Sequence, residues 1–267
     1  MSAILPPVLL VGFGKMGGAM LAGWREQGLA PSVAVDPVRP ALPGTEVTVL
    51  ADAAAIPPQF APAAVVLAVK PQNAAATLPA YARFAGSAVF LSIMAGRSIA
   101  GMRDLLGAGA AVVRAIPNTP AAIRQGITVA CAGPGVSAAQ RALCDALLSA
   151  IGTVAWVEEE ALLDPVTAVS GSGPAYVFLL AELLERAAVE QGIPPGLARQ
   201  LARRTVAGAG ALLVAGEQDA ADLRRAVTSP KGTTEQALSV LMADDAWPAL
   251  VSRAVAAATR RSRELAG

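Results

Sequence analysis

Eight short apolar runs, spaced by helical stretches, occupy the first 155 or so residues, and this alternation limits the possible folds more than any other property of the chain. The runs are VLLVG (8–12), VAVD (33–36), EVTVL (46–50), AVVLAV (64–69), AVFLSI (88–93), AVVRAI (111–116), ITVACAG (127–133) and TVAWV (153–157). Strands apolar at consecutive positions are covered on both faces, and a strand followed by a helix returns to a parallel neighbour. The pattern predicts an α/β fold with a doubly wound, mostly parallel sheet. After EEE at 158–160 the strand signals vanish, and the remaining segments carry helical periodicity, with Pro194, Pro195, Pro230 and Pro248 at the joints. The expected division is therefore 1–158 and 159–267, the second part all helical. About four or five helices rich in apolar positions cannot cover every apolar stripe among themselves, so the helical part is expected to be a dimerisation domain.

Charge offers no partner: 21 basic and 20 acidic side chains leave a net charge of +1, with no basic stripe for nucleic acid. The apolar start MSAILPPVLLVGFGKMGG has neither a basic leading region nor a clean cleavage site, and no apolar run approaches the roughly 18–20 residues of a membrane helix. A soluble, cytoplasmic protein without membrane or nucleic-acid partner is expected. Two cysteines, Cys131 and Cys144, are too few and too far apart for a zinc site and are expected to be buried thiols. No metal site is expected. The chain has no histidine, which removes Ser-His-Asp and Cys-His catalysis and the HExxH metal site together. Protons must come from a hydroxyl, a carboxylate, an amine or water.

GFGKMG at 12–17 follows the first strand at the mouth of a helix and fits the GxGxxG turn of a Rossmann-type dinucleotide domain. Gly12 permits the tight turn, Gly14 lets backbone approach a pyrophosphate, and Gly17 allows the helix to pack on the strand. The cradle runs from Gly12 to Gly17 through Phe13, Lys15 and Met16, with the helix amides holding the phosphates. Asp36 lies 22 residues after Gly14, where an acid meets an adenosine ribose hydroxyl. It favours NADH, whereas Arg39 could pair with the extra phosphate of NADPH, so the choice between the two stays open. In AVKPQ (68–72), Val69 and Lys70 end the fourth strand on the edge where open sheets bind ligands. SIMAGRSI (92–99) and RAIPNTPAAIRQG (114–126) reach the same edge, and the backbone at Ala95 suits a carboxamide. The plainer alternatives are a turn residue at Asp36, solvated charges at Arg39 and Lys70, and compact crossovers elsewhere. VSGSGPAY (169–176) is not a nucleophile elbow, because Ser170 stands where glycine is needed.

Three further segments, DPVTAVSGSGPAYVF from 164, LRRAVTSPKGTTEQAL from 223 and RRSREL from 260, carry a more specific likeness. The chain resembles the pyrroline-5-carboxylate reductase family over nearly its whole length. The resemblance implies reduction of the C=N bond of 1-pyrroline-5-carboxylate by NADPH or NADH to L-proline, the last step of proline biosynthesis. It also implies a homodimer built through the helical domains, or a larger assembly of dimers. By the same resemblance, residues 229–234 form the substrate loop: Ser229 belongs to it, and amides around Gly232, Thr233 and Thr234 receive the carboxylate. The Thr234 hydroxyl then sits against the ring nitrogen as the catalytic group, Glu217 lies near the substrate, and Lys70 and Ala95 lie near the cofactor.

The chain departs from the family's SPGGTT at Lys231, which is expected to need no glycine-only backbone angle and to add positive charge near the carboxylate. A family asparagine that reaches the cofactor has no clear counterpart in ADAAAIPPQF. Two rival readings remain: an NAD(P)-dependent reductase of another imine or a β-hydroxy acid, and a non-catalytic NAD(P)-binding scaffold. Against the first stands the scarcity of lysine, with only Lys15, Lys70 and Lys231 to serve as its catalytic amine. The second has no use for a bare helix mouth. Thr233 and Thr234 acting only as helix caps is the plain reading of that loop.

Overall fold

The computed structural model of the chain describes residues 5–38, 44 and 46–266. The apolar runs become strands β1 (Val8–Val11), β2 (Ser32–Val35), β3 (Val47–Leu50), β4 (Ala64–Leu67), β5 (Val89–Ser92), β6 (Ala111–Ile116), β7 (Gly126–Ala132) and β8 (Gly152–Val157). They form one sheet in the order β3-β2-β1-β4-β5-β6-β7-β8. Pairing is parallel from β3 through β6, β7 runs antiparallel to β6, and β8 is parallel to β7. The expected doubly wound, mostly parallel sheet is what forms.

Successive side chains of a strand point to opposite faces, so a strand buried on both sides feeds two cores. Leu9, Val11, Val65, Leu67, Phe90 and Val112 enter one core, and Val8, Leu10, Ala64, Val66, Leu91 and Val113 the other. Among the described residues, five helices belong to this part: α1 (Lys15–Glu26), α2 (Ala74–Thr77), α3 (Ile99–Leu106), α4 (Ala138–Ser149) and α5 (Leu163–Val166). Met102 and Leu106 of α3 cover the first core, while Trp24 of α1 and Leu147 of α4 cover the second. Helix α1 comes close to the end of α4 because residue 23 is glycine: a Cβ there would lie 2.5 Å from the Ala150 carbonyl oxygen. Trp24 is fully buried, and its indole Nε1–H donates to the Leu147 carbonyl at 2.8 Å.

Both cysteines are free and buried, as expected. Burial, with help from Asp145, pushes the Cys144 thiol up to about 12. One buried charge was not foreseen among the apolar strands. Arg114 on β6 is 2% exposed and pairs with Glu160 at 2.9 Å, and the same carboxylate oxygen accepts the Ile99 N–H at 2.8 Å. A buried guanidinium needs such a partner, and the pair ties the segment after β8 to the sheet.

By packing, the chain divides into one unit up to Gly171 together with the residues from Ala258 on, and a second unit, Ser172–Ala257. The second contains α6 (Gly173–Glu190), α7 (Pro195–Ala215), α8 (Ala220–Ala226), α9 (Thr233–Leu241) and the first half of α10 (Trp247–Ala266). The end of α10 packs in the first unit, where the Ser262 hydroxyl donates to the buried Asp164 at 2.7 Å. A π-turn at Thr167–Gly171 leads into α6. Among the described residues one helical run, Glu160–Glu190, is long and apolar enough to cross a membrane by length and composition, contrary to the expectation that none is. Glycine, serine and a few charges break the run of apolar letters without lowering its average below that of a spanning helix. Only Ala198 and Ala202 are buried in the second unit, so its helices hold almost no core of their own.

Replacing Trp24 by alanine empties a fully packed site and removes the link from α1 to α4. Urea denaturation of Trp24→Ala is expected to report a loss of about 3–5 kcal/mol in stability, and a change near zero would contradict this packing.

Candidate active site

The carboxyl ends of β1 and β4 meet where the strand order reverses, the position at which open sheets bind dinucleotides. Gly12 has φ +93°, and a Cβ on it would lie 2.7 Å from the Ala68 carbonyl oxygen and 3.1 Å from Val69. Gly17 is equally constrained, since a Cβ there would approach the Gly12 carbonyl oxygen to 2.5 Å. Gly14 differs: it is the N-cap of α1, no side chain caps the helix, and a Cβ would meet nothing within 4 Å. Open space therefore lies over uncapped helix amides, the shape and polarity a pyrophosphate requires.

Asp36 is more than a turn residue. Its Oδ2 accepts the Phe13 N–H at 2.7 Å and its Oδ1 accepts the Val38 N–H at 2.9 Å, so the carboxylate braces the glycine turn from the end of β2. Phe13 and Met16 are half-buried against the core, whereas Lys15 is exposed. Lys70 is exposed at the start of a short 3-10 turn (Pro71–Asn73). Ala95 is exposed just beyond β5, and the next residue, Gly96, takes φ +65° with Leu265 packed against it. Gly12–Gly17, Asp36, Val69, Lys70 and Ala95 are thus gathered on the carboxyl edge of one sheet. Arg39 lies outside the described residues.

The second group of residues lies in the other unit, in the turn that opens α9. Gly232 is the N-cap of this helix and, as at Gly14, no side chain caps it. The Gly232 N–H donates to the Ser229 carbonyl at 3.0 Å, which leaves the first helical amides, at Thr233, Thr234 and Glu235, as the uncapped ones. The turn is tight: a Cβ on Gly232 would lie 2.9 Å from the Ser229 carbonyl oxygen. Neither threonine hydroxyl caps the helix, which sets aside the plain capping reading. Ser229 and Thr233 are exposed and Thr234 is half-buried. Glu217 lies in the exposed link between α7 and α8.

The expectation that Lys231 avoids a glycine-only backbone angle is overturned. It takes φ +59°, the left-handed conformation that glycine adopts freely and lysine rarely does. The Lys231 N–H donates to Glu235 Oε2 at 2.8 Å. Glu235 was not singled out in the sequence, and its only signal there is an acid at the third position of a helix that lacks a capping side chain. Asn118, in the turn after β6, was likewise missed: its Oδ1 accepts the Ile127 N–H at 3.0 Å and its Nδ2 donates to Ser170 in the π-turn at 3.3 Å.

The family model for pyrroline-5-carboxylate reductase dimerisation matches residues 160–265. A pyrroline-5-carboxylate reductase of Pseudomonas aeruginosa is 40% identical over 275 residues, covering 98% of this chain and 97% of that protein. The chain belongs to the pyrroline-5-carboxylate reductase family. Among solved structures, the reductase of Coxiella burnetii superimposes with a TM-score of 0.89 at 31% identity, covering 98% of this chain and 99% of that one. The Plasmodium falciparum reductase, solved with NADP bound, gives a TM-score of 0.83 at 25% identity with each chain fully covered. The first group of residues lies on a sheet edge of the first unit and the second at a helix start of the second unit.

The contrast among the glycines gives a clean test of whether the GFGKMG turn holds the cofactor. Because space is open at Gly14, Gly14→Val should leave the melting temperature close to that of the parent. The added side chain fills the space over the α1 amides, so NADPH affinity measured by fluorescence titration should fall about tenfold or more.

Proposed function

We propose that the chain reduces the C=N bond of 1-pyrroline-5-carboxylate to give L-proline, the last step of proline biosynthesis, with NADPH or NADH as reductant. The observation that carries this reading is the likeness to the Pseudomonas aeruginosa reductase, which runs through both the glycine turn and the helical unit at 40% identity. The uncapped starts of α1 and α9 support it, because each offers amides to an anion: a pyrophosphate at one, a carboxylate at the other.

Substrate binding starts from the helix terminus. Aligned peptide dipoles place roughly half a positive charge at the start of α9, and its first amides point outward as donors. Thr233 and Thr234 offer two adjacent N–H groups to the two oxygens of the carboxylate, so no arginine is needed. Bulk at Gly232 would close the turn, and bulk at residue 233 would crowd the anion. Ser229 and Glu217 are the further substrate-side residues of this reading.

Cofactor binding rests on the sheet edge. The amides from Phe13 to Gly17 hold the phosphates, Asp36 stands at the ribose, and Val69, Lys70 and Ala95 line the way to the nicotinamide. When bound, the reduced nicotinamide supplies the hydride that the imine carbon receives. An imine accepts hydride more readily when its nitrogen carries a proton, since positive charge draws electrons from the carbon. The Thr234 hydroxyl orients that nitrogen and relays the proton from water, a role that needs no histidine. The enzyme's main contribution is then positioning, which fixes one reacting geometry.

The protein is a homo-oligomer acting on a small molecule. Its second unit buries only Ala198 and Ala202, while Leu183 and Leu184 on α6 and Leu212 and Leu213 on α7 are exposed. A second copy of these helices covers such surfaces. This reading places the enzyme in the cytoplasm and assigns the apolar length of Glu160–Glu190 to a subunit interface instead of lipid.

Purified protein mixed with NADPH and 1-pyrroline-5-carboxylate should lose absorbance at the reduced-nicotinamide band, and no loss would refute the reading. In the same assay Thr234→Ala should lower kcat by about 10- to 1000-fold, whereas unchanged turnover would leave Thr234 a packing residue.

A further inference from the structure

We propose that Glu235 is a positioning residue: it holds Lys231 in the left-handed conformation and so keeps the first amides of α9 in place for the substrate carboxylate. The inference rests on the function proposed above and concerns a residue with no role in it so far.

Lys231 has φ +59°. A side chain in this region crowds its own backbone, so a residue other than glycine stays there only when its surroundings hold it. Two bonds surround it. The Gly232 N–H donates to the Ser229 carbonyl at 3.0 Å and closes the turn behind Lys231. The Lys231 N–H donates to Glu235 Oε2 at 2.8 Å and fastens the turn to the helix one turn on. Rotating Lys231 toward the right-handed region would break the second bond and swing the peptide that leads into Gly232. That peptide sets the direction of the amides at Thr233 and Thr234.

Electrostatics alone gives no reason for an acid here. A carboxylate beside an anion site repels the incoming anion, and it competes for the favourable potential at the start of the helix. The bond to Lys231 supplies the reason, because it spends one carboxylate oxygen on an amide that belongs to the turn and leaves those of Thr233 and Thr234 uncapped. Lys231 and Glu235 therefore act as a unit that does for this chain what glycine alone would do at position 231. If so, Glu235 matters only while residue 231 is not glycine.

That dependence is the test, read as KM for 1-pyrroline-5-carboxylate, kcat, and KM for NADPH in the full-length oligomer. Glu235→Ala should raise the imine KM by about 5- to 20-fold, the cost of an unsupported left-handed residue, with kcat and the NADPH KM within about twofold. Glu235→Gln keeps an acceptor of the same length and sheds the repelling charge, so its KM should stay at or below the parent's. Glu235→Asp keeps the charge but falls one methylene short, so it should behave like Glu235→Ala. The double variant Lys231→Gly/Glu235→Ala should return to within about threefold of the parent KM, as glycine needs no support. A parental KM in Glu235→Ala would overturn the inference, as would an unrecovered KM in the double variant. If Glu235→Ala does not fold, the Gln and Asp variants decide: Gln intact with Asp impaired supports the inference, and any other order overturns it. A parent enzyme inactive on the imine defeats the proposed function instead, whereas an active parent with unmoved variants defeats only this inference.

Discussion

A backbone N–H at the start of a helix has no partner within the helix, and the function proposed for this protein depends on such groups at the starts of α1 and α9. Helices α3 and α4 begin on Ser98 and Ser137, whose hydroxyls accept from Gly101 and Gln140, while α1 and α9 begin on Gly14 and Gly232 with no capping side chain. A serine cap is worth only about a few tenths of a kcal/mol over glycine, so both glycine starts forgo a little stability that α3 and α4 take. The surrounding structure compensates. Asp36 braces the turn before α1 by accepting the Phe13 amide, and Glu235 braces the turn before α9 by accepting the Lys231 amide. In both, an acid bonds to an amide just outside the helix and leaves the helix's own first amides without a side-chain cap.

The absence of histidine fits this arrangement. An imine already carries a basic nitrogen, and hydride transfer to it asks for orientation more than for a strong acid. In the proposed function the burden falls on backbone geometry, and glycines with close contacts recur in both turns. Gly12, Gly17 and Gly232 would each bring a Cβ within 3 Å of a carbonyl oxygen. The second unit has helical periodicity with almost no core, and α6 and α7 leave Leu183, Leu184, Leu212 and Leu213 exposed.

The sheet was legible in the sequence because strands buried on both faces are written as continuous apolar runs, and all eight runs became strands. The direction of β7 was not, since a parallel and an antiparallel strand bury the same residues. The glycine turn was legible because its requirements are those of the backbone, and at Gly12 and Gly17 only glycine meets them. Arg114 was hidden within an apolar strand, as its partner Glu160 is distant in sequence and reaches it only through the fold. Lys231 misled because residue type argues against a left-handed angle, while the hydrogen bond that sustains it comes from a side chain four positions on. The membrane-length run Glu160–Glu190 was overlooked because interruptions in the letters do not interrupt a helix.

The central claim is that a carboxylate binds to the uncapped amides that open α9. A crystal structure of the protein with L-proline measures this directly. The account predicts both carboxylate oxygens within hydrogen-bonding distance of the Thr233 and Thr234 N–H groups, with Lys231 still left-handed and bonded to Glu235. Proline held through its carboxylate by a charged side chain, with those two amides facing water, would contradict it.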